Sequence, residues 1–519
     1  MRKHKILWVD DEIEILKPHI YFLSEKGYEI TTCSNGNDAV ELVRTNIYDL
    51  ILLDEHMAGL SGLETLRFIK EIKPEIPVVM ITKSEEENLM EAAIGSEIAD
   101  YLIKPVKPNQ ILLALKKNLE QKKLITEKTT IDYQKEFGKI SDMIARASTF
   151  NDWIEIYKKI VFWELELDKL PETGMNQILQ TQTDEANTAF CRFVSRNYLS
   201  WLDPAVSEKP LLSHQLMQKK IFPELSNSQP VFFILIDNLR YDQWKTIQAE
   251  LTELFRIISE IMYLSILPTT TQFSRNAIFS GLMPLSISQT MPEMWIADNI
   301  EDERKNEFEE EFLKRLIQRA GLNIKWSYHK INNSLEGKKL NEKLTSLLEN
   351  NLNVLVYNFV DILSHARTES GVIRDLAYDE RAYRSLTKSW FLHSSLLELL
   401  KTLSEKKVRI VFTTDHGTIR VNNPVKVIGD RETSPSLRYK AGRSLDYDPS
   451  EVFEIKAPEK AFLPKTNLSS KYIFAMNRDY LIYANNFNHY AAYYRDTFQH
   501  GGISMQEMIL PLAFLEPVI

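Results

Sequence analysis

The stretch Thr413-Thr414-Asp415-His416-Gly417-Thr418 decides how the larger part of this 519-residue chain folds. It follows Arg409-Ile410-Val411-Phe412, a short apolar run rich in β-branched residues, which reads as a buried parallel strand. An aspartate and a histidine side by side at the end of such a strand offer oxygen and nitrogen donors. That pairing suits a borderline divalent metal such as zinc or manganese. Alone, the pair fits a strand-end turn with a capping aspartate equally well.

Two more stretches repeat the pattern. Residues 231–236, introduced by Pro230, form an unbroken apolar strand that ends in Asp237. Residues 352–360 read as another, ending in Asp361-Ile362-Leu363-Ser364-His365. Three buried-type strands thus each deliver an aspartate at the carboxyl end, where α/β sheets bind ligands. The four-residue spacing of Asp361 and His365 lets both reach one point from a single helical turn. His500 sits in Gln499-His500-Gly501-Gly502, where glycines permit close backbone approach. Ser504-x-x-Glu507 reads as a capping box that starts the next helix. A further apolar strand, 261–267, runs into Pro268-Thr269-Thr270-Thr271, and a threonine hydroxyl becomes a nucleophile when a metal activates it.

Composition bounds the remaining classes. Hydrophobic residues at 44% and charged residues at 26% describe a soluble globular protein of more than one domain. The net charge of -9 argues against a surface that coats nucleic acid, while leaving room for a local basic cleft. Cys33 and Cys191 are too few for a disulfide framework or a cysteine-rich zinc site, which fits a reducing, cytoplasmic location. The N-terminus runs straight into a strand without a signal-peptide core, and no run of 18 apolar residues occurs.

Residues 1–122 alternate strands (5–9, 28–33, 49–53, 76–81, 99–103) with amphipathic stretches (13–26, 36–45, 60–72, 85–95, 108–122). Five βα units of this size predict a flavodoxin-like doubly wound parallel sheet. Asp10, Asp11, Asp54, Thr82 and Lys104 all fall at strand ends. Carboxylates gathered at one sheet edge repel one another unless a cation sits among them, and Mg²⁺ is the natural choice. Lys104-Pro105 is expected to be cis, and Pro18 to kink the first helix. The segment resembles a response-regulator receiver domain. The resemblance implies phosphorylation of Asp54 by a sensor histidine kinase and Mg²⁺ held by the Asp10/Asp11 pair, Asp54 and His56. It also implies Thr82 and Tyr101 as the switch pair and Lys104 on the phosphoryl group. Ala58 departs from the family's Asp-x-x-Met-Pro pattern.

Residues 123–228 read as a helical linker bundle, with Trp153, Ile156, Ile160 and Trp163 at helical spacing marking its core. Residues 229–519 read as a doubly wound α/β domain. Asp237, Thr271, Asp361 with His365, Asp415-His416 and His500 occur in the chain order of the alkaline phosphatase superfamily, which this domain resembles. Gly429-Asp430-Arg431-Glu432 and the run from His500 to Met508 resemble its PglZ branch. By that resemblance, Asp361, His365 and His500 hold one zinc, while Asp237, Asp415, His416 and the Thr271 oxygen hold a second. Thr271 is the implied nucleophile, with Thr270 the second choice, and the implied reaction is hydrolysis of a phosphodiester through a phosphothreonine.

Arg275, Arg431, Arg438, Lys440 and Arg443 are expected to line a positive groove for phosphate or nucleotide, with Tyr439, Tyr447 and Phe453 placed to stack on bases. A receiver joined to a PglZ domain resembles the PorX type of response regulator, which implies a role in type IX secretion. Two functions follow: a phosphorylation-controlled, zinc-dependent phosphodiesterase acting on nucleotides or oligonucleotides, or a phosphorylation-gated module binding a secretion-motor component or sigma factor around a structural metal. Phosphorylation is expected to favour a homodimer through the face around Tyr101 and residues 85–120. No helix-turn-helix follows the receiver.

Overall fold

The computed structural model describes residues 3–83, 98–170, 174–226, 229–296, 306–369, 371–430, 433–465 and 469–518. The chain divides into two compact units, Met1–Gln134 and Lys135–Ile519. The helix expected over 85–95, and Arg431, lie outside the described residues.

In the first unit, β1 (Lys5–Val9), β2 (Glu29–Cys33), β3 (Leu50–Asp54), β4 (Val78–Thr82) and β5 (Asp100–Ile103) form one sheet in the order β2-β1-β3-β4-β5, with every neighbouring pair parallel. The central strands are apolar on both faces because helices cover both sides of a parallel sheet, and each face has its own core cluster. Helices α1 (Lys17–Glu25), α2 (Gly36–Thr45) and α3 (Gly62–Ile72) return the chain between strands. Pro18 lies in the first turn of α1, so it starts the helix at Lys17 instead of kinking one that begins at 13. A capping box between Ser61 and Glu64 opens α3. A side chain on Gly62 would collide with the Asp54 carbonyl, so glycine here lets the helix start lie directly against the end of β3.

Helix α4 (Pro108–Arg146) is followed by α5 (Phe150–Asp168) and α6 (Gly174–Trp201). Trp153, Ile156, Ile160 and Trp163 are buried. In the second unit these helices do not stand apart as a bundle but pack on the α/β body. Asn187 of α6 is fully buried, donating to Gln506 Oε1 at 2.9 Å and accepting from the Met505 amide at 2.8 Å. Arg384 bridges Asp168 of α5 at 2.6 Å and Asp242 at 2.7 Å.

The main sheet of this unit contains β6 (Val231–Ile236), β7 (Phe255–Leu264), β8 (Trp326–Ile331), β9 (Leu352–Tyr357), β10 (Arg409–Thr413) and β11 (Ile509–Pro517), in the order β7-β11-β10-β6-β9-β8. Strands β10, β6, β9 and β8 are parallel, whereas β11 is antiparallel to both of its neighbours. Ser504 caps only the short turn of helix Met505–Met508, accepting from the Glu507 amide without the reciprocal bond of a capping box, and the chain then returns through the sheet. Strand β9 is also shorter than the apolar run: helix Phe359–Glu369 begins before Asp361 and puts the aspartate in its first turn. The parallel neighbours β10, β6 and β9 bring Asp415, Asp237 and Asp361 to one edge.

His214, in the turn Ser213–Gln215, carries a pH-dependent cost. Burial, then the charges of Lys219 and Lys209, push its imidazole down to about 4. An unfolded histidine titrates near 6.5, so between these values the unfolded chain binds more protons and acid favours unfolding. The stability held above pH ~6.5 falls by up to about 3 kcal/mol as pH drops toward 4. In denaturant titrations across that window, His214→Gln should lose less stability than wild type, and parallel curves would contradict the assignment.

Candidate functional site

Two triads meet at the carboxyl edge of the second sheet. Asp361, His365 and His500 have ligand atoms within 4.8 Å of one another, and so do Asp237, Asp415 and His416. In the first, Asp361 Oδ2 lies 3.5 Å from His365 Nε2, and its Oδ1 lies 3.6 Å from His500 Nε2. In the second, His416 Nε2 lies 3.6 Å from Asp237 Oδ1 and 3.7 Å from Asp415 Oδ2. The imidazoles of His416 and His500 stack with centroids 4.5 Å apart, so the two triads are neighbours.

Thr271 begins the helical turn Thr271–Arg275. Its Oγ1 is 3.3 Å from Asp237 Oδ1 and 3.1 Å from His416 Nε2. The three consecutive threonines have separate surroundings. Thr269 Oγ1 donates to the Gly502 carbonyl at 2.9 Å and accepts from the Gly501 amide at 3.0 Å, which fastens the loop carrying His500. Thr270 caps the turn with its hydroxyl buried and unpartnered, and only Thr271 reaches ligand atoms of a triad. Ser274 and Ser265 donate to the Asp415 carbonyl at 2.7 and 3.0 Å, locking that strand end against the Thr271–Arg275 turn.

Electrostatics mark the cluster as a cation site. Burial, and then repulsion from Asp237, raise Asp361 to about 6 and push Asp415 well above the ordinary carboxylate range. Burial also pushes Asp237 upward, but Arg275 and His416 outweigh it and hold this carboxyl low. Burial lowers both His416 and His500, favouring the neutral imidazole, in which one ring nitrogen is free to donate to a metal. Asp415 Oδ2 is buried without a hydrogen-bond partner. Two buried carboxylates, a half-buried third, imidazoles with a free nitrogen and an orphaned oxygen fit divalent metal ions.

The expected phosphate groove is absent at three of its described positions. Arg275 is buried beneath the site, with its guanidinium 2.8 Å from Asp237 Oδ2 and 2.6 Å from Glu309 Oε1. Arg438 is fully buried and pairs with Glu507 at 2.6 Å. Lys440 is also buried, 4.3 Å from the Tyr483 ring and donating to the Ser434 carbonyl at 3.2 Å. Arg443 alone of the described set is exposed, and it pairs with Asp430 at 3.1 Å. Tyr439 and Phe453 are buried and the Tyr447 hydroxyl bonds to Glu454, so these aromatics serve the small sheet built from Tyr439–Gly442, Val452–Ile455 and Lys471–Ala475. For Arg275 and Arg438 the charge belongs to buried partners 34 to 69 residues away in sequence.

Spacing gives no sign of Asn238 and Ser364, which meet at Asp361, or of Glu309 and Asn358, which accept from Arg275 at 2.6 and 3.2 Å. Only Asn238 carried a local signal: an asparagine directly after a strand-end aspartate, where a left-handed turn is tolerated.

In the first unit, Asp10, Asp11 and Asp54 form a third group able to hold a cation. Lys104 reaches Asp10 at 2.9 Å and Asp54 at 3.0 Å across a cis Lys104–Pro105 peptide. Burial raises the Asp54 carboxyl, and the bond from Lys104 only partly opposes it. Burial would lower the Lys104 ammonium, but its bonds to Asp10 and Asp54 prevail and raise it. Thr82 ends β4, Tyr101 on β5 is 40% exposed, and His56 has an exposed imidazole 3.8 Å from Glu55.

A buried carboxylate with a nearby lysine at a strand end, and a metal-type cluster on a second sheet, define a receiver coupled to a phosphatase-like output domain. Comparison with known families agrees. Residues 6–116 match the response regulator receiver domain, 123–202 the PorX response regulator linker domain, and 216–514 the BREX system PglZ alkaline phosphatase-like domain. The chain belongs to the PglZ alkaline phosphatase-like family, in the PorX-type arrangement of receiver, linker and PglZ domain. A receiver domain implies phosphorylation by a histidine kinase.

The chain is 34% identical over 147 residues to the transcriptional regulatory protein ZraR of Klebsiella oxytoca, covering 28% of this chain and 33% of that one. It is 37% identical over 112 residues to the transcriptional regulatory protein ResD of Bacillus subtilis, covering 22% and 46%. The match thus spans a third to a half of these relatives. A receiver domain structure from Clostridium thermocellum is 31% identical, covering 23% of this chain and 98% of that one at a TM-score of 0.22. Among the described residues no helix is long and apolar enough to cross a membrane.

Arg438→Met should leave Glu507 buried without its partner and lower stability by about 3–5 kcal/mol. Arg443→Gln, at an exposed pair, should change it by less than about 0.5 kcal/mol. Denaturant unfolding of both variants checks this, and equal effects would contradict the structural role of Arg438.

Proposed function

We propose that residues 229–519 form a zinc-dependent phosphodiesterase that cleaves nucleotide or oligonucleotide phosphodiesters with Thr271 as nucleophile. The observation that carries this reading is the position of the Thr271 hydroxyl, 3.1 Å from His416 Nε2 and 3.3 Å from Asp237 Oδ1. An alcohol among ligand atoms is placed for activation, which a surface threonine is not.

Asp361, His365 and His500 would hold one zinc ion and Asp237, Asp415, His416 and Thr271 Oγ1 the other; bound there, the pair supplies Lewis acidity that favours the alkoxide and stabilises the leaving oxygen. Thr271 Oγ1 attacks phosphorus, and the ester P–O bond on the opposite side breaks as the Oγ1–P bond forms. Water then cleaves the threonyl phosphate and restores the hydroxyl. Ser274 and Ser265 hold the Asp415 strand end in place, while Thr269 holds the His500 loop. Arg275 stays beneath the site and keeps Asp237 ionised.

Residues 1–122 receive the signal at Asp54, with Mg²⁺ among Asp10, Asp11, Asp54 and the His56 carbonyl, and Thr82 and Tyr101 as the switch. A phosphoryl group on Asp54 meets Lys104, which already reaches that carboxylate at 3.0 Å. Residues 123–228 carry the signal onward, and α6 contacts the 503–506 segment just past His500. Phosphorylation favours a homodimer through the face around Tyr101. The biological setting of this reading is type IX secretion, in the cytoplasm, with a secretion-motor component or a sigma factor as protein partner.

Thr271→Val removes the hydroxyl at similar volume. It should lower turnover of a chromogenic phosphodiester by about 10³-fold or more while leaving thermal stability of the metal-free protein near wild type. A chelator should abolish wild-type turnover, and undiminished activity in either case would overturn the assignment. In sedimentation, beryllofluoride with Mg²⁺ should convert wild type to a dimer and leave Asp54→Asn monomeric. An unchanged wild-type mass would exclude phosphorylation-driven dimerisation.

A further inference from the structure

Three segments converge on one residue that has no role in the reading above. Asn238 is fully buried and has a left-handed backbone, with φ of 62°. That conformation strains most side chains, but asparagine and glycine adopt it readily. The turn it creates aims two successive amides at the 414–416 segment: the Asn238 amide donates to Asp415 Oδ1 at 3.3 Å, and the Leu239 amide to Thr414 Oγ1 at 3.0 Å. The Thr414 hydroxyl in turn donates to the His416 carbonyl at 2.8 Å. The Asn238 side chain faces the other triad. Its Nδ2 donates to Asp361 Oδ1 and to Ser364 Oγ, each at 3.1 Å, and Ser364 Oγ donates to the Asp361 carbonyl at 2.8 Å. One residue therefore holds an aspartate of each triad, through its main chain on one side and its amide group on the other.

We infer that Asn238 is a positioning residue that fixes the Asp361 carboxylate for metal binding and sets its register against Asp415. The inference rests on the metal-centre reading above. The chemistry of the amide suits the task. It donates a hydrogen bond to Asp361 Oδ1 without adding charge, so the carboxylate keeps the negative charge a cation needs, while Oδ2 stays turned to His365 at 3.5 Å. A lysine here would neutralise Asp361 and compete with the metal, and an aspartate would repel it. Glycine matches the backbone but supplies no amide. Among these residue types only asparagine meets both demands, and its Oδ1, buried without a partner, marks a side chain oriented by its donor end. Partners that hold a ligand in this way typically contribute 10–100-fold to metal affinity.

The test is Asn238→Gly in the full-length chain, because glycine accepts the left-handed backbone and should not weaken the fold. Zinc is titrated against a chromophoric chelator, and thermal unfolding of the metal-free protein is followed in parallel. Wild type should bind two zinc ions. The variant should bind one of them about 10–100-fold more weakly, with metal-free unfolding unchanged or shifted upward. Ser364→Ala, which removes the second acceptor of the amide, should weaken the same ion by a smaller factor. Zinc affinity of Asn238→Gly within about threefold of wild type would overturn the positioning role and leave the metal centre standing. Failure of wild type itself to bind zinc would overturn the metal centre and the positioning role together.

Discussion

Gathering Asp237, Asp361 and Asp415 at one sheet edge, the first and last buried and Asp361 half-buried, is the constraint on which the second unit depends. Parallel strands β10, β6 and β9 are hydrogen-bonded neighbours, so residues at their carboxyl ends cannot avoid one another. Burial and mutual repulsion raise two of the three carboxyls. The surrounding protein answers with one buried guanidinium, from Arg275, and one neutral amide, from Asn238. Neither compensates the whole cluster, and Asp415 Oδ2 is left without a partner. A site so arranged stores affinity for cations, because ions that enter remove a repulsion already present in the fold.

The first unit uses the same device on a smaller scale. Asp10, Asp11 and Asp54 share a sheet edge, and Lys104 spans two of them. Here the protein's own cation lies against Asp54, so a change at that carboxylate bears directly on the lysine that follows β5. In the second unit the linker helices are part of the output domain: Asn187 and Cys191 of α6 hold main-chain groups of the 503–506 segment, and Gln506 abuts Gly417 beside His416. A side chain at Gly417 would collide with the Gln506 carbonyl, so glycine in the turn after His416 lets the linker-bound segment approach this closely.

Much of this was legible in the chain because buried parallel strands write themselves as continuous apolar runs. The ends of 231–236 and 409–412 can be read to within a residue, and ligand residues at such ends stand out as isolated polar groups. The misreadings share a cause. Arg275, Arg438 and Lys440 look like groove residues in one dimension, yet their partners Asp237, Glu507 and the Ser434 carbonyl absorb their charge in the interior. Pro18 reads as a helix breaker only where α1 is taken to begin at 13, and β11 is hidden because an antiparallel return leaves no βα signature.

The sequence by itself determined the two α/β units, the helical segment between them and the residues able to bind a phosphoryl group or a metal, since hydrophobic periodicity and strand-end chemistry are local properties. The grouping of His500 with Asp361 and of Thr271 with His416 and Asp237 came from family resemblance and not from spacing, and only the tertiary structure decided the rest: the arginines with internal acids, and Asn238 between the two triads. Those pairings depend on which strands lie side by side and on where a turn directs its amides. Both are set by packing between segments up to some three hundred residues apart, as with Asn187 and Gln506, and leave no trace in local spacing.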